Sequence, residues 1–396
     1  MVTVEEAKKI LFENIQQTKT AELKITDALN HVLSGDVYSP IDLPSFDQSS
    51  MDGYAVNSGN DSERKEFEMV GEIKAGDDPT ISLNAGQAMR IFTGAAVPSS
   101  ADSIIIQERT EEKNGILFIQ EKIKAGDCVR RKGTQIKKGE LALKSFSVLN
   151  PASIGFMASL GFEQVKVFGI PGVSIIVTGN EIIPAGETLK NGKVFESNSF
   201  ALIAALMQMN IEVKNNFQTG DNLENLKEKI KTCLIDSDIV LISGGISVGK
   251  YDFTLGAMKE CGVETIFYKV AQKPGMPLFT GKTGNKIIFG LPGNPASVLV
   301  CFYEYVYPVL KQMQGFSSFS LPVVKLRTLK EIKKKKGKSS FIRGKLINDG
   351  VLELEQQDSN MLRSFAEADG LIYLDKEKEM IDRDEEVEVH LLPFLK

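Results

Sequence analysis

Three neighbouring stretches decide the fold: DSDIVLISGGISVGKYDF at 236–253, VAQKPGMPLF at 270–279 and KIIFGLPGNPASVLVCF at 286–302. Two apolar strands, DIVLIS and KIIFGL, each run into a loop crowded with Gly, Pro and Ser, where backbone amides can turn toward a ligand. In the second loop Asn294 occupies an N-cap position and Pro295 suits the first helical position, where its missing N–H is no loss. The apolar run Ala296–Leu310 then predicts a helix. A strand, a glycine loop and a capped helix start aim donors and the positive dipole end at one point, which favours phosphate or another oxyanion. The first loop carries Gly244 and Gly245, open to backbone angles closed to other residues, and the hydroxyls of Ser243 and Ser247.

Upstream, from 171, the pattern alternates strand and helix. VSIIVTG leads to a loop with Glu181, a helix at 198–209, the strand IEVKNNF, a loop with Asp221, a helix at 223–235, and then DIVLIS. Glu181, Asp221, Asp252 and both glycine loops therefore follow strand carboxyl ends. A doubly wound sheet would bring them to one rim, where open α/β sheets bind ligands. Acids beside anion cradles suggest a bridging divalent cation, with Lys269 and Lys273 close enough in the chain to offset oxyanion charge. Only two histidines occur, His31 and His390, and neither is close in sequence to the cradles, which argues against a Ser-His-Asp triad or a His-ligated zinc. Oxygen-ligated Mg²⁺ suits the remaining donors.

The flanks read differently. Residues 3–17 predict a helix opened by a Thr3/Glu6 capping box, and 24–30 a second helix. The segment SPIDLPSFDQSSMDGYAVNSGN from 39 is a loop entering a strand, and 66–127 alternates as a β-rich module containing Thr93. Asn150 and Pro151 repeat the cap device at a helix running to Leu160. A β-rich tail follows 319, with Lys333–Lys336 and Gly337 at a hairpin tip. The 396 residues, 42% hydrophobic and 25% charged, are ordinary for a multidomain globular chain, and a net charge of −5 argues against nucleic acid as the main partner. Four cysteines without CxxC spacing are expected as thiols in a reducing compartment. The opening MVTVEEAKKILFENI carries acids and no run of 18 apolar residues occurs, so neither a leader nor a membrane span is expected and a cytoplasmic location is.

PSFDQSSMDGYAV (44–56), RIFTGAAVPSSADSIIIQE (90–108), VTGNEI (177–182), SGGISVGKYDF (243–253), KPGMP (273–277) and GLPGNPAS (290–297) together resemble the molybdopterin molybdenumtransferase family, which includes the E domain of gephyrin. The resemblance covers nearly the whole chain. It implies an α/β multidomain protein: an N-terminal domain from 1–42 plus 138–168, a β-rich inserted module at 43–137, a doubly wound molybdopterin-binding domain at 169–318, and a small β-barrel at 319–396. It also implies a homodimer whose site lies between the doubly wound domain of one subunit and the MDGYA module of the other. The implied reaction joins adenylated molybdopterin and molybdate, with Mg²⁺, to give molybdenum cofactor and AMP, the last step of cofactor assembly. Contact with the adenylyltransferase that makes the substrate, and with cofactor-receiving molybdoenzymes, would follow.

Carried over position by position, the functional acids fall on Asp52, Glu181, Asp221 and Asp252, the threonine on Thr93, and the metal set on Glu181, Asp221 and Asp252. Substrate binding falls on Ser243, Gly244, Gly245, Ser247, Gly249, Lys269, Lys273, Pro292, Gly293, Asn294, Pro295 and Ser297. Two departures stand out, since the family often has Lys at the position of Met276 and Asp at that of Asn180. Two other readings are open to this sequence: an adenylyltransferase, which resembles the doubly wound domain alone, and a scaffold or carrier that binds without turnover.

Overall fold

The computed structural model describes residues 1–78, 82–246 and 253–394. The chain folds as two compact units, one made of Met1–Ala21 with Val167–Lys396 and the other of Glu22–Lys166.

The larger unit is built on a six-stranded sheet in the order Val213–Thr219, Val173–Thr178, Ile239–Ser243, Lys286–Leu291, Phe279–Thr283, Glu264–Tyr268. The first four strands are parallel, Phe279–Thr283 runs against them, and Glu264–Tyr268, antiparallel to it, runs with them again. Strands Val173–Thr178 and Ile239–Ser243 are buried throughout, which explains their unbroken apolar sequence, whereas Val213–Thr219 at the edge alternates exposed and half-buried positions. Alternate residues serve opposite faces. Ile175, Val177 and Leu241 pack with Leu202 and Leu206 of helix Asn198–Met207 and with Val298 and Phe302, while Ile176, Val240 and Ile242 pack with Leu226 and Ile230 of helix Leu223–Asp236 and with Met258. Helices thus cover both faces, as the doubly wound reading expected.

Because the order runs second, first, third, fourth, the connections leaving Val173–Thr178 and Ile239–Ser243 go to opposite faces. Reversals of this kind are where open α/β sheets form a ligand crevice, at the strand carboxyl ends. The C-terminal tail closes a five-stranded barrel from Ser339–Ile347, Gly350–Glu353, Val323–Thr328, Glu386–Leu391 and Gly370–Leu374. Strand Gln272–Lys273 adds to it in parallel, pairing Lys273 with Ser340.

The smaller unit holds a second six-stranded sheet, ordered Ser103–Ile106, Gly53–Val56, Gln87–Ile91, Glu66–Ile73, Ile116–Ile119, Thr110–Lys113. Strand Gly53–Val56 is wholly buried, with Tyr54 and Val56 on one core and Ala55 on the other. A Cβ on Gly53 would sit 2.1 Å from the Ile105 carbonyl, so the close strand approach beside Asp52 needs glycine.

Local expectations fare unevenly. Thr3 and Glu6 form the capping box of helix Val4–Glu13, and Asn150 caps Pro151–Ser159. The helix expected at 24–30 is a single 3₁₀ turn, Ile25–Asp27, without a side-chain cap. The helix expected from Ala296 to Leu310 is interrupted by a π-helical stretch, Phe302–Val306, between Pro295–Cys301 and Tyr307–Met313. Cys233 and Cys301 are buried and Cys128 and Cys261 half-buried, and all four are free thiols.

The π stretch turns Glu304 into the core. Its Oε2 meets Lys8 Nζ at 2.5 Å and its Oε1 meets His390 Nδ1 at 2.7 Å, joining the first helix, the doubly wound layer and the last barrel strand. Burial by itself pushes the Glu304 carboxyl up, but the Lys8 charge and the His390 contact outweigh it and hold the group below its ordinary value of 4.5. A carboxyl with a depressed folded pKa stabilises above its unfolded pKa and stops doing so as pH falls through the folded one. Replacing Lys8 by Met should therefore cost about 3 kcal/mol at neutral pH, because it strands a buried carboxylate. The urea midpoint should drop accordingly, and the gap from wild type should narrow as the pH is taken below 4.5. Equal midpoints at neutral pH would show that the network contributes nothing.

Candidate active site at the sheet crevice

The crevice is assembled from chain ends that sequence separates by about a hundred residues. Thr178, the last residue of its strand, donates from Oγ1 to Asp221 Oδ1 at 3.0 Å. Asn180 on the following loop accepts the Asp221 N–H on Oδ1 at 3.1 Å, tying the Glu181 and Asp221 loops together. Its backbone carbonyl is held in turn by Lys193 Nζ. The Asn180 side chain acts here as an acceptor, a role a carboxylate oxygen could fill equally well, so this departure keeps the loop contact and removes one negative charge.

Gly244 and Gly245 stand at φ +96° and +66°. A Cβ on Gly244 would lie 2.0 Å from the Thr178 carbonyl, and one on Gly245 would lie 2.2 Å from Thr254 Oγ1. Both contacts and both angles exclude a side chain, so the loop after Ile239–Ser243 lies flush against the end of the neighbouring strand. Ser243 is buried and donates to the Pro292 carbonyl at 3.1 Å, which links the two glycine loops.

Ser247, Gly249 and Asp252 lie outside the described residues. Glu181 and Asp221 are therefore the members of the expected metal set whose placement is described, and among the described residues no cluster of three or more His, Cys, Asp or Glu forms. The donors in view at the crevice are carboxylate, hydroxyl and amide oxygens, chemistry suited to a hard cation such as Mg²⁺.

The second cradle differs from expectation. Asn294 occupies the N-cap position of Pro295–Cys301, but its side chain makes no cap bond and donates instead to Ser359 Oγ at 2.7 Å. The amides of Ala296 and Ser297 both donate to the Ser359 carbonyl, at 3.0 and 3.3 Å. The helix start is thus capped by the chain itself, and those two amides are not open to an anion. Arg343 organises this cap: fully buried, it donates from Nη2 to the carbonyls of Gln356 and Asp358 and from Nε to Ser364 Oγ, while Nη1 has no partner among the described residues. Burial pulls its pKa down to about 10.

Two residues of the crevice region carry no motif that singled them out. Arg343 is one. Asn198 is the other, buried at the start of its helix, with Nδ2 donating to Ser243 Oγ at 2.9 Å and to the Gly293 carbonyl at 2.8 Å. Its Oδ1 is buried and has no partner among the described residues. Asn198 bolts the two glycine loops together; its only sequence signal is a polar residue opening an apolar helix.

Lys269 exits its strand at the same rim, because two successive antiparallel pairings restore the direction of Glu264–Tyr268, and its ammonium lies 4.8 Å from the Tyr268 ring centroid. In the smaller unit Asp52 Oδ1 accepts both the N–H and the Oγ1–H of Thr93, each at 2.8 Å. Those bonds hold the exposed carboxyl below its ordinary value, so it is an anion at neutral pH.

Comparison with known proteins covers the whole chain. Family models describe residues 2–161 as MoeA N-terminal region (domain I and II), 174–312 as probable molybdopterin binding domain and 325–392 as MoeA C-terminal region (domain IV). A molybdopterin molybdenumtransferase from Haemophilus influenzae is 33% identical over 100% of this chain and 99% of its own length, and one from Nostoc is 34% identical over 100% and 94%. The crystal structure of the molybdopterin biosynthesis moeA protein from Pyrococcus horikoshii superposes with a TM-score of 0.86 at 32% identity, covering 99% of both chains. The match extends through the smaller unit and the barrel, which an adenylyltransferase resembling the doubly wound layer alone would lack. The chain belongs to the molybdopterin molybdenumtransferase family.

Proposed function

We propose that the protein inserts molybdenum from molybdate into adenylated molybdopterin and releases AMP, and that it works in the cytoplasm as a homodimer. The observation that carries this reading is the crevice itself: a glycine loop pressed against the Thr178 carbonyl, flanked by Asp221 and Glu181 at the point where the strand order reverses. Loops of this kind let backbone amides approach a phosphate without side chains intervening, as phosphate-binding glycine loops do.

In this account Ser243, Gly244, Gly245, Ser247 and Gly249 bind the phosphate end of the substrate, and Asn198, by fixing Ser243 and Gly293, keeps the two loops in register. Pro292, Gly293, Asn294, Pro295 and Ser297 shape the neighbouring wall rather than supplying a helix-end amide nest. Lys269 and Lys273 balance oxyanion charge. Glu181, Asp221 and Asp252 would hold Mg²⁺, which supplies Lewis acidity at the phosphoanhydride when bound. Asp52, kept ionised by Thr93, serves the site from the MDGYA module, which in the dimer belongs to the other subunit. The four-part division at 42/43, 137/138, 168/169 and 318/319 goes with this reading, as do contacts with the adenylyltransferase and with recipient molybdoenzymes.

Incubating the protein with adenylated molybdopterin, with and without molybdate and Mg²⁺, should give AMP release that needs both and a product that reconstitutes a cofactor-free molybdoenzyme. Substrate bound without AMP release would favour a carrier, and consumption of ATP would favour an adenylyltransferase. Asp252→Ala should lower AMP release by more than about a hundredfold, the scale of losing a major electrostatic element; near-normal turnover would remove Asp252 from the mechanism.

Gly244→Ala tests the loop itself. The new methyl must displace backbone, and a misplacement of about 1 Å costs on the order of a hundredfold in rate. Gly262→Ala is the control, since Gly262 also has positive φ, at +78°, but nothing lies within 4 Å of its would-be Cβ. It should keep its turnover, and equal losses in the two variants would assign the effect to backbone strain alone.

A further inference from the structure

A cleft of about 780 Å³ in the Met1–Ala21/Val167–Lys396 unit opens between the Lys273–Pro274 segment and the barrel. Its wall is a lysine loop, residues 333–338, reading KKKKGK. Two of these lysines are occupied. Lys333 pairs with Glu331 at 2.5 Å, and Lys334 donates to the carbonyl of Lys338 at 2.9 Å and to that of Lys376, which fastens the loop. The Gly337 N–H donates to the Lys376 carbonyl from a residue at φ +93°, so the tip is held in one shape.

The other cations carry no direct ion pair, although Asp375, Glu377 and Glu379 stand close enough to the loop to act on Lys334. Lys335, Lys336 and Lys273 have no ion-pair or hydrogen-bond partner for their ammonium groups among the described residues, and Lys338 Nζ meets only the Met276 sulfur, at 3.2 Å, a weak acceptor that neutralises nothing. Among the described residues Glu353 is the single carboxyl lining the cleft, one negative charge against four positive ones. Four like charges held around one opening repel each other, and a multiply charged anion relieves that repulsion. The cleft volume is in the range that encloses a ligand of drug size, larger than a single tetrahedral oxyanion needs.

We propose that the lysine loop is an electrostatic capture surface for the large anionic substrate, which draws the phosphoanhydride-bearing pterin toward Lys273 and accelerates its association. This rests on the substrate named above. Lys335 and Lys336 act before the chemistry and take no part in it. Clefts lined by one sign of charge raise association rates by about 10 to 10³, and the gain falls with ionic strength.

The test follows adenylated molybdopterin binding by stopped flow, using the fluorescence of the pterin, in the full-length wild type, in K335E/K336E and in K335Q/K336Q. At about 0.01 M ionic strength, where the Debye length is about 30 Å, the association rate should fall by about tenfold or more in the charge-reversed variant and by less in the neutral one. The three should converge near 1 M salt, where the Debye length is about 3 Å. The maximal rate of AMP release at saturating substrate should be unchanged. Equal association rates at low salt would overturn the proposal, and so would a loss that persists undiminished at high salt, which marks a structural role. Because association is read without turnover, absence of AMP release in every form would count against the proposed reaction and leave the capture result to stand or fall by itself.

Discussion

The contact of Gly244 with the carbonyl of Thr178 is the constraint around which the crevice is arranged. Two parallel strands lie side by side, their connections leave for opposite faces, and the loop of one must pass over the end of the other. Only a residue without a side chain and tolerant of positive φ can do so. Once that loop is down, Ser243 reaches Pro292, Asn198 reaches both Ser243 and Gly293, and Thr178 is left to orient Asp221.

The barrel is coupled to the same region by backbone rather than by a flexible tether. Lys273 pairs with Ser340 as an added strand, and the Ser359 carbonyl caps the helix that begins at Pro295. Arg343 holds the Gln356 and Asp358 carbonyls just before that cap, so the barrel interior, the helix start and the wall of the crevice share one hydrogen-bond system. Glu304 does the same on the far side of the layer, gathering Lys8 and His390. Buried charge of this kind adds little net stability compared with a well-packed apolar core, but removing one partner is costly. Its effect here is to fix how the barrel and the first helix sit on the sheet.

Much of this is legible in the sequence. The strand and helix alternation from 171 onward, the chain-end positions of Glu181 and Asp221, and the caps at Thr3 and Asn150 all follow from local pattern, because each depends on residues within a few positions. What escaped depended on distance. Ser359 lies about sixty residues beyond the helix it caps, so Asn294 read as a self-sufficient cap when its side chain is used elsewhere. Glu304 reads as one acid in an apolar helix, since Lys8 and His390 are far away in the chain. The short helix expected at 24–30 lost to its own composition: Thr26 and Asp27 engage each other and the segment closes only a 3₁₀ turn. Molybdenum itself came from the likeness of motifs, since amide loops and carboxylates specify an oxyanion and a hard cation and no more.

The central claim is that the phosphate end of the substrate sits against the glycine loop at the sheet reversal. A crystal structure of the protein with AMP and Mg²⁺ tests it most directly. The account predicts the phosphate over Gly244 and Gly245, between the Glu181 and Asp221 loops, with the cation among the rim carboxylates. A phosphate lodged instead at the start of the Pro295–Cys301 helix, displacing the Ser359 carbonyl, or held only in the lysine cleft, would contradict it.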